Sequence, residues 1–187
     1  MNYFETIKCE DNEILNLPYH EKRIAKTIGK NFNLREYIYP ISDELLRCKV
    51  IYNEDEIIDI TYTPYSKKSI KTFQLVYDND IQYNSKYLDR KRIDKLVEKK
   101  QNSDEIIIVK NGLVTDTSIA NIAVYLDDQW YTPKKPLLLG TTRLRYLDRN
   151  IIKELDITIK ELLKAKKIAL LNAMVDFDII EDFKLLV

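Results

Sequence analysis

The sequence contains very little of the residue types that usually mark metal centres and tight turns. Of its 187 residues, one is histidine, two are cysteine and three are glycine. With a single histidine, His20, a metal site built from several imidazoles is excluded, although one imidazole can still act in catalysis. Cys9 and Cys48 lack the close spacing of metal-binding cysteine pairs and suit reduced thiols in a cytoplasm. We therefore expect no metal centre.

The chain also lacks net charge and long apolar runs. Lys plus Arg and Asp plus Glu number 30 each, which gives no electrostatic reason to expect nucleic acid or an anionic membrane as partner. No apolar run could span a bilayer, and residues 1–5 lack the basic and apolar regions of a secretory signal. We therefore expect a cytoplasmic protein, made of one large domain or two small lobes.

Local patterns in the first half predict a mainly antiparallel sheet with one or two helices. Alternation predicts a strand from Tyr3 to Cys9, and Pro18 favours the start of a helix. Ser42 can cap a short helix that ends at Leu46. The remaining strands, rich in β-branched and aromatic residues, are predicted over residues 48–52, 57–63 and 70–77.

The second half is predicted to mix strands with short helices. Helical spacing covers residues 86–100, a second helix is expected from Arg143 to about Lys153, and residues 161–166 suit a helical turn. Predicted strands cover residues 106–109, 157–159, 168–172, 177–180 and 183–187, and a further apolar run covers residues 119–126.

Residues 111–143 carry the most local chemistry. Asn111-Gly112 is a strong hairpin signal, and Asp116 lies between the two apolar runs that flank it. Gly140-Thr141-Thr142 at a helix start can present N–H groups and hydroxyls to an anion. On these residues alone, a hairpin followed by a capped helix is favoured over a phosphate site.

Three basic side chains have ordinary interpretations when each is taken alone. His20 and Arg23 lie three residues apart on one predicted helix face, which favours a surface face with a partly buried imidazole. Lys86 precedes a lysine-rich helical segment whose lysines should mostly be solvated, but its place at the entry could direct it into a cleft.

Taken in order, the motifs of the chain resemble those of the class IV, or fold-type IV, pyridoxal-phosphate enzymes. These motifs are Phe4-Glu5-Thr6-Ile7, His20-Glu21-Lys22-Arg23, Lys86-Tyr87-Leu88-Asp89-Arg90, Thr115-Asp116-Thr117-Ser118-Ile119-Ala120-Asn121-Ile122, Tyr131-Thr132-Pro133 with Gly140-Thr141-Thr142-Arg143, and Asn172-Ala173-Met174. The lysine motif and Asn172-Ala173 resemble the 4-amino-4-deoxychorismate lyase branch, in a short form.

The resemblance implies an α+β fold like that of D-amino-acid aminotransferase. Residues 1–80 would form an N-terminal α/β sandwich lobe, and residues 86–187 a C-terminal mixed, β-barrel-like lobe that binds pyridoxal 5'-phosphate. Members of the family are usually homodimers, so a homodimer acting on a small amino substrate is the expected assembly.

The resemblance also implies a role for each matching residue. Lys86 would hold the cofactor as a Schiff base and transfer protons, and Asp116 would pair with the pyridine nitrogen. Arg23, with the seat formed by Gly140, Thr141 and Thr142, would hold the phosphate. The residues implied in substrate binding are Thr6, Asn172 and Ala173.

The motifs depart from the family pattern at three positions near the implied cofactor site. Asp116 replaces a longer glutamate, Thr117 replaces a glycine, and Leu139 replaces a proline. Because Asp is one methylene shorter, it would reach the ring nitrogen only if the backbone moved closer or a water intervened.

Three functions are compatible with the motifs. The first is a lyase that makes 4-aminobenzoate and pyruvate in folate biosynthesis. The second is a class IV aminotransferase acting on branched-chain or D-amino acids. The third is a catalytically weak or inactive relative that binds a ligand or partner, an alternative suggested by the short N-terminus and by the Asp at position 116.

Overall fold

The computed structural model describes residues 1–186, and Val187 lies outside the described residues. The chain divides into a small unit, residues 1–67 with 85–89, and a large unit, residues 68–84 and from residue 90 onward. No helix within residues 1–186 combines the length and apolarity that crossing a membrane would require.

The small unit is an antiparallel sheet with one long helix. In chain order its elements are β1 (Tyr3–Glu10), β2 (Glu13–Ile14), α1 (Leu17–Ile28), a 3₁₀ turn (Leu34–Glu36), β3 (Leu46–Tyr52) and β4 (Ile57–Pro64). The strand order is β2-β1-β3-β4. Apolar residues from one sheet face and from α1 form a single core, which includes Ile7, Ile24 and Val50.

A proline marks the start of helix α1 and a glycine marks its end. Pro18 occupies the first turn, where a missing N–H costs nothing. Leu17, His20 and Ile24 are its buried residues, at the spacing of one helix face. Gly29 ends the helix at φ 73° and donates its N–H to the Ala25 carbonyl at 2.8 Å.

Residues 85–89 belong to the small unit because they pair with the start of β1. The Phe4 N–H donates to the Lys86 carbonyl at 2.9 Å, and the Leu88 N–H donates to the Asn2 carbonyl at 2.9 Å. An antiparallel bridge joins Tyr3 to Tyr87. This pairing places Lys86 opposite Phe4 at the edge of the sheet.

The large unit is built on a mixed sheet. In chain order its elements are β5 (Thr72–Tyr77), α2 (Lys91–Val97), a 3₁₀ turn (Glu98–Lys100), β6 (Glu105–Lys110), β7 (Leu113–Thr117), β8 (Asn121–Leu126), β9 (Gln129–Pro133), α3 (Thr141–Asp148), β10 (Ile152–Leu155), α4 (Ile159–Lys164), β11 (Lys167–Asn172), β12 (Asp176–Ile180) and β13 (Lys184–Leu186).

Most neighbouring strands of this sheet are antiparallel, and three pairs are parallel. The order is β10-β9-β8-β7-β6-β5-β13, with β11 pairing with β8 and β12 with β11. The parallel pairs are β5 with β6, β5 with β13, and β9 with β10. The predicted hairpin is confirmed: Asn111 and Gly112 join β6 to β7 at φ 51° and 76°.

The predicted strands of the first half and the predicted helix at Pro18 are confirmed, but the unit boundary differs from the predicted lobes 1–80 and 86–187. Strand β5 pairs with β6 and so belongs to the large unit. Residues 85–89 belong to the small unit because they pair with β1.

Three local predictions are wrong, two of them because pairing between distant residues overrides them. Helix α3 ends at Asp148, Asn150 turns the chain at φ 56°, and β10 then pairs with β9, so no helix reaches Lys153. The expected helix from Ser42 is absent, since Leu46 begins β3 opposite Cys9.

The third wrong prediction is the strand over residues 157–159. Ile159 instead begins α4, because Thr158 and Glu161 form a capping box at its start. The predicted helix over residues 86–100 is shorter in the structure, beginning at Lys91. The last predicted strand, 183–187, is confirmed as Lys184–Leu186, with Val187 outside the described residues.

Candidate active site

The small unit holds a buried charged cluster of Glu5, His20 and Arg23. Glu5 Oε2 contacts His20 Nδ1 at 2.6 Å, and Glu5 Oε1 accepts from Arg23 Nε at 2.8 Å. Arg23 Nη2 donates to Glu5 Oε2 as well, so guanidinium and carboxylate form a bidentate pair. Strand β1 supplies the acid, and α1 presents both basic side chains from one face.

The cluster fixes the charge of Glu5. Burial alone would raise the pKa of Glu5, but the Arg23 charge and the hydrogen bonds from His20 and Arg23 outweigh it and lower the pKa to about 2. An ionised carboxylate only accepts, so His20 Nδ1 must carry a proton. Burial lowers the pKa of His20 despite Glu5, aided by the charges of Arg23 and Lys86.

Two buried atoms of the small unit have no hydrogen-bond partner among the described residues. They are His20 Nε2 and the Tyr52 hydroxyl. Because Nδ1 holds the proton of a neutral His20, Nε2 is left as a buried acceptor. Arg23, the predicted phosphate ligand, contacts the same Glu5 carboxylate as His20 and turns two of its donors to it. That Arg23 binds phosphate stays a prediction.

Lys86 does not lie on the solvated face of a helix. It precedes α2, its carbonyl is tied to β1, and its Nζ lies 4.6 Å from the centre of the Phe4 ring. Such a cation–π contact directs the amine to the sheet face that carries Phe4. Thr6, two residues further along β1, points to the same face.

In the large unit, Asp116 is a buried acid without a salt-bridge partner in residues 1–186. Its Oδ1 accepts from Asn121 Nδ2 at 2.6 Å, and its Oδ2 accepts from the Leu138 N–H at 2.9 Å. The same Asn121 Nδ2 donates to the Leu138 carbonyl at 2.8 Å. Burial raises the pKa of Asp116 to about 6, against the opposing effects of these donors and the weaker one of Arg143.

At Gly140 the start of α3 packs against Asn121, the hydrogen-bond partner of Asp116. A Cβ at Gly140 would lie 1.9 Å from Asn121 Oδ1, so any larger residue would force the Asn121 amide to move. Gly140 is the N-cap and offers no side-chain cap, and Thr141 and Thr142 in the first turn are buried. The first-turn N–H groups and two hydroxyls of an eight-residue helix therefore suit an anion.

The candidate substrate residues Asn172 and Ala173 lie in the β11–β12 turn. Asn172 Oδ1 accepts from the N–H groups of Met174 and Val175 at 2.9 and 3.0 Å, which shapes this turn. Its Nδ2 donates to the Ile119 carbonyl at 3.4 Å. These contacts are structural, and the substrate roles of both residues stay predictions.

No individual role could be assigned from the sequence to Glu5, Phe4 or Asn121, although all three lie inside the motifs. Glu5 binds partners 15 and 18 residues away, and Asn121 links β8 to a loop 17 residues on. For Glu5 and Asn121, the signal in the sequence is a polar residue within an apolar strand. That signal does not identify the residues with which they form hydrogen bonds.

Comparison with known proteins places the chain in a family. The amino-transferase class IV model matches residues 60–180, and the chain belongs to this family, whose members depend on pyridoxal phosphate. An uncharacterized protein of Haemophilus influenzae is 38% identical, with 91% of this chain and 96% of that protein covered.

Solved structures agree on the fold. A candidate 4-amino-4-deoxychorismate lyase from Haemophilus somnus 129PT has a TM-score of 0.86 and 33% identity, covering 92% of this chain and 96% of its own. A hypothetical aminotransferase from Mycobacterium tuberculosis in its pyridoxal-phosphate-bound form has a TM-score of 0.78 at 13% identity, covering 98% and 81%. The predicted fold-type IV architecture is thus confirmed.

Each unit offers groups that fit the family's cofactor. The small unit has an amine held on a sheet edge at Lys86. The large unit has a buried acid beside a helix start that has no side-chain cap and packs closely on Asn121 at Gly140. An aldehyde, a ring nitrogen and a phosphate need these three types of group.

Proposed function

We propose that the chain is a pyridoxal-phosphate-dependent lyase that converts 4-amino-4-deoxychorismate to 4-aminobenzoate and pyruvate. The observation that carries this proposal is the fixed position of Lys86, whose backbone pairs with β1 and whose amine lies over Phe4. The lysine motif and the similarity to a candidate lyase, of which 96% is covered, support the lyase over other reactions.

Lys86 would attach the cofactor covalently through Nζ. A lysine amine must lose its proton to act as a nucleophile, so this role requires the neutral form of Lys86. Once released by the substrate amine, Nζ would take a proton from the carbon that bears the nitrogen.

The other predicted site residues would hold the cofactor and orient it. Arg23 and the Gly140–Thr142 seat would bind the phosphate with fixed donors, and Asp116 would face the ring nitrogen. When bound, the cofactor supplies an electron sink for the carbon that loses its proton. Asn121 and the Leu138 N–H already orient the Asp116 carboxylate, so its alignment costs nothing at the moment of reaction.

Product analysis tests the reaction. With 4-amino-4-deoxychorismate as the sole substrate, we expect pyruvate and 4-aminobenzoate in equal amounts, and no product from Lys86→Ala. If amino groups pass to a 2-oxo acid and no pyruvate forms without that acceptor, the chain is an aminotransferase. If neither reaction occurs in cofactor-loaded protein, the non-catalytic alternative is correct.

A further inference from the structure

The sheet of the small unit has a second face, opposite α1, which carries an unusual pair of cations. Lys86 Nζ lies 4.6 Å and Lys49 Nζ 5.4 Å from the centre of the same Phe4 ring. Reaction of Lys86 Nζ with the cofactor would remove one of these two charges and leave the Lys49 ammonium beside the ring. A carboxylate bound on this face would then meet the Lys49 ammonium.

The strand register shows that Lys49 is part of a polar row on this face. Lys49 lies opposite Thr6 on β1 and opposite Thr61 on β4. Directly opposed residues have their Cβ atoms about 5 Å apart, so Lys49 adjoins the candidate substrate residue Thr6. Thr61 is exposed and Lys49 is half-buried, so the row reaches solvent.

Lys49 has no acidic partner in residues 1–186. Of the other charged groups on this face, Lys8 and Glu10 pair with each other at 2.7 Å, and Arg47 donates to the Thr63 hydroxyl at 3.2 Å. Asp59 stands on the same face opposite Ile51, outside salt-bridge distance of Lys49. Within residues 1–186, the Lys49 ammonium instead lies against the Phe4 ring.

We propose that Lys49 binds the ring carboxylate of the substrate. It would thereby select a ring that carries a carboxylate at the end opposite its amine. This inference rests on the proposed function, in which both products are carboxylic acids and the ring bears its amine and carboxylate in para positions. With the amine end at Lys86, the ring carboxylate lies on the same face as Lys49. The buried Phe4 ring contacts both ammonium groups and so ties Lys49 and Lys86 to one face of the sheet.

Binding of a matched pair of ligands tests this role. Titration calorimetry would compare 4-aminobenzoate with 4-aminobenzamide, which has the same ring without the charge. For the wild-type protein, incubated with cofactor, we expect the benzoate to bind about tenfold more tightly, as a charge-assisted hydrogen bond implies. Lys49→Met, which keeps an apolar stem on Phe4, should lose this preference.

Lys8→Gln is the matched control, because it removes a cation from the same strand face that is already paired with Glu10. It should keep the preference for benzoate. In turnover, Lys49→Met should raise KM about tenfold while kcat and the cofactor absorption band stay as in the wild type.

A preference for benzoate that survives Lys49→Met, or a wild-type protein that binds neither ligand, overturns the role of Lys49. The proposed function has its own readout. A wild-type protein without a cofactor band contradicts the proposed function, even if Lys49 still confers the carboxylate preference. A normal band and normal turnover in Lys49→Met, with unchanged KM, leave the function standing and reject the inference.

Discussion

Glu5 in the small unit and Asp116 in the large unit are both buried carboxylates, yet their pKa values move in opposite directions. Glu5 is 0% exposed, and Asp116 is 5% exposed. The pKa of Glu5 falls to about 2 and that of Asp116 rises to about 6. Because the two carboxylates are buried to a similar extent, the groups that contact them determine the direction of each pKa shift.

The neighbours differ in charge. Glu5 receives the fork of Arg23 and the ring of His20, whereas Asp116 receives a side-chain amide and one backbone N–H. An acid paired with a cation is already neutralised and serves to hold that cation in place. An acid held only by neutral donors keeps a proton affinity near neutral pH and can respond to a charged ring nitrogen.

The largest effect expected is on folding, from Glu5→Gln. The substitution removes the carboxylate that pairs with Arg23 in a largely buried site, so we expect a loss of about 3–5 kcal/mol in the free energy of unfolding, measured with urea. Glu10→Gln on the same strand breaks a more exposed pair with Lys8 and should cost less than about 1 kcal/mol. Equal losses in both variants would refute the distinction between buried and exposed pairs.

A smaller effect is expected on the pH dependence of stability, through Asp116. Its pKa rises from 3.8 to about 6 on folding, so the folded state binds the proton more tightly. The stability that this proton contributes is full below pH 3.8 and is lost as the pH rises to about 6. The loss amounts to about 2–3 kcal/mol.

Asp116→Asn should remove this loss, so its stability relative to the wild type should increase between pH 4 and pH 6. Thermal or urea unfolding across that range measures the difference. The exposed Asp182→Asn is the control and should follow the wild type. If the free energies of unfolding of Asp116→Asn and the wild type differ by the same amount at every pH in this range, Asp116 is ionised throughout it in the folded protein.

The smallest effect is expected from Gly140→Ala. Gly140 has φ −70°, so alanine costs no backbone strain, and its Cβ meets only the Asn121 amide. We expect a loss of about 1–2 kcal/mol and weaker cofactor binding, because Asn121 must release Asp116 or Leu138. In an Asn121→Ala background the same substitution should cost less, and full additivity would contradict a direct contact.

Local chemistry predicted much of the fold but few of the contacts. Asn111-Gly112 specified a hairpin because its turn needs only two residues, and Pro18 marked α1 for an equally local reason. The helix expected to reach Lys153 failed because β10 finds its partner in β9, a pairing that no local period encodes.

The candidate site shows the same limit. The motifs indicated Lys86, Asp116 and Gly140, but the sequence could not show that Asn121 contacts both of the latter. Neither could it show that Arg23 is bound to Glu5. These are tertiary contacts, and they determine which buried acid can exchange a proton.

The central claim is that Lys86 carries the cofactor, and reductive trapping tests it most directly. Protein incubated with pyridoxal phosphate should show a visible absorption band that borohydride removes, and peptide mass spectrometry should place the reduced cofactor on Lys86. Lys91→Ala, which alters the first residue of α2, should keep the label, and Lys86→Ala should lose it. The absence of a band, or a label on any other lysine, would contradict the account.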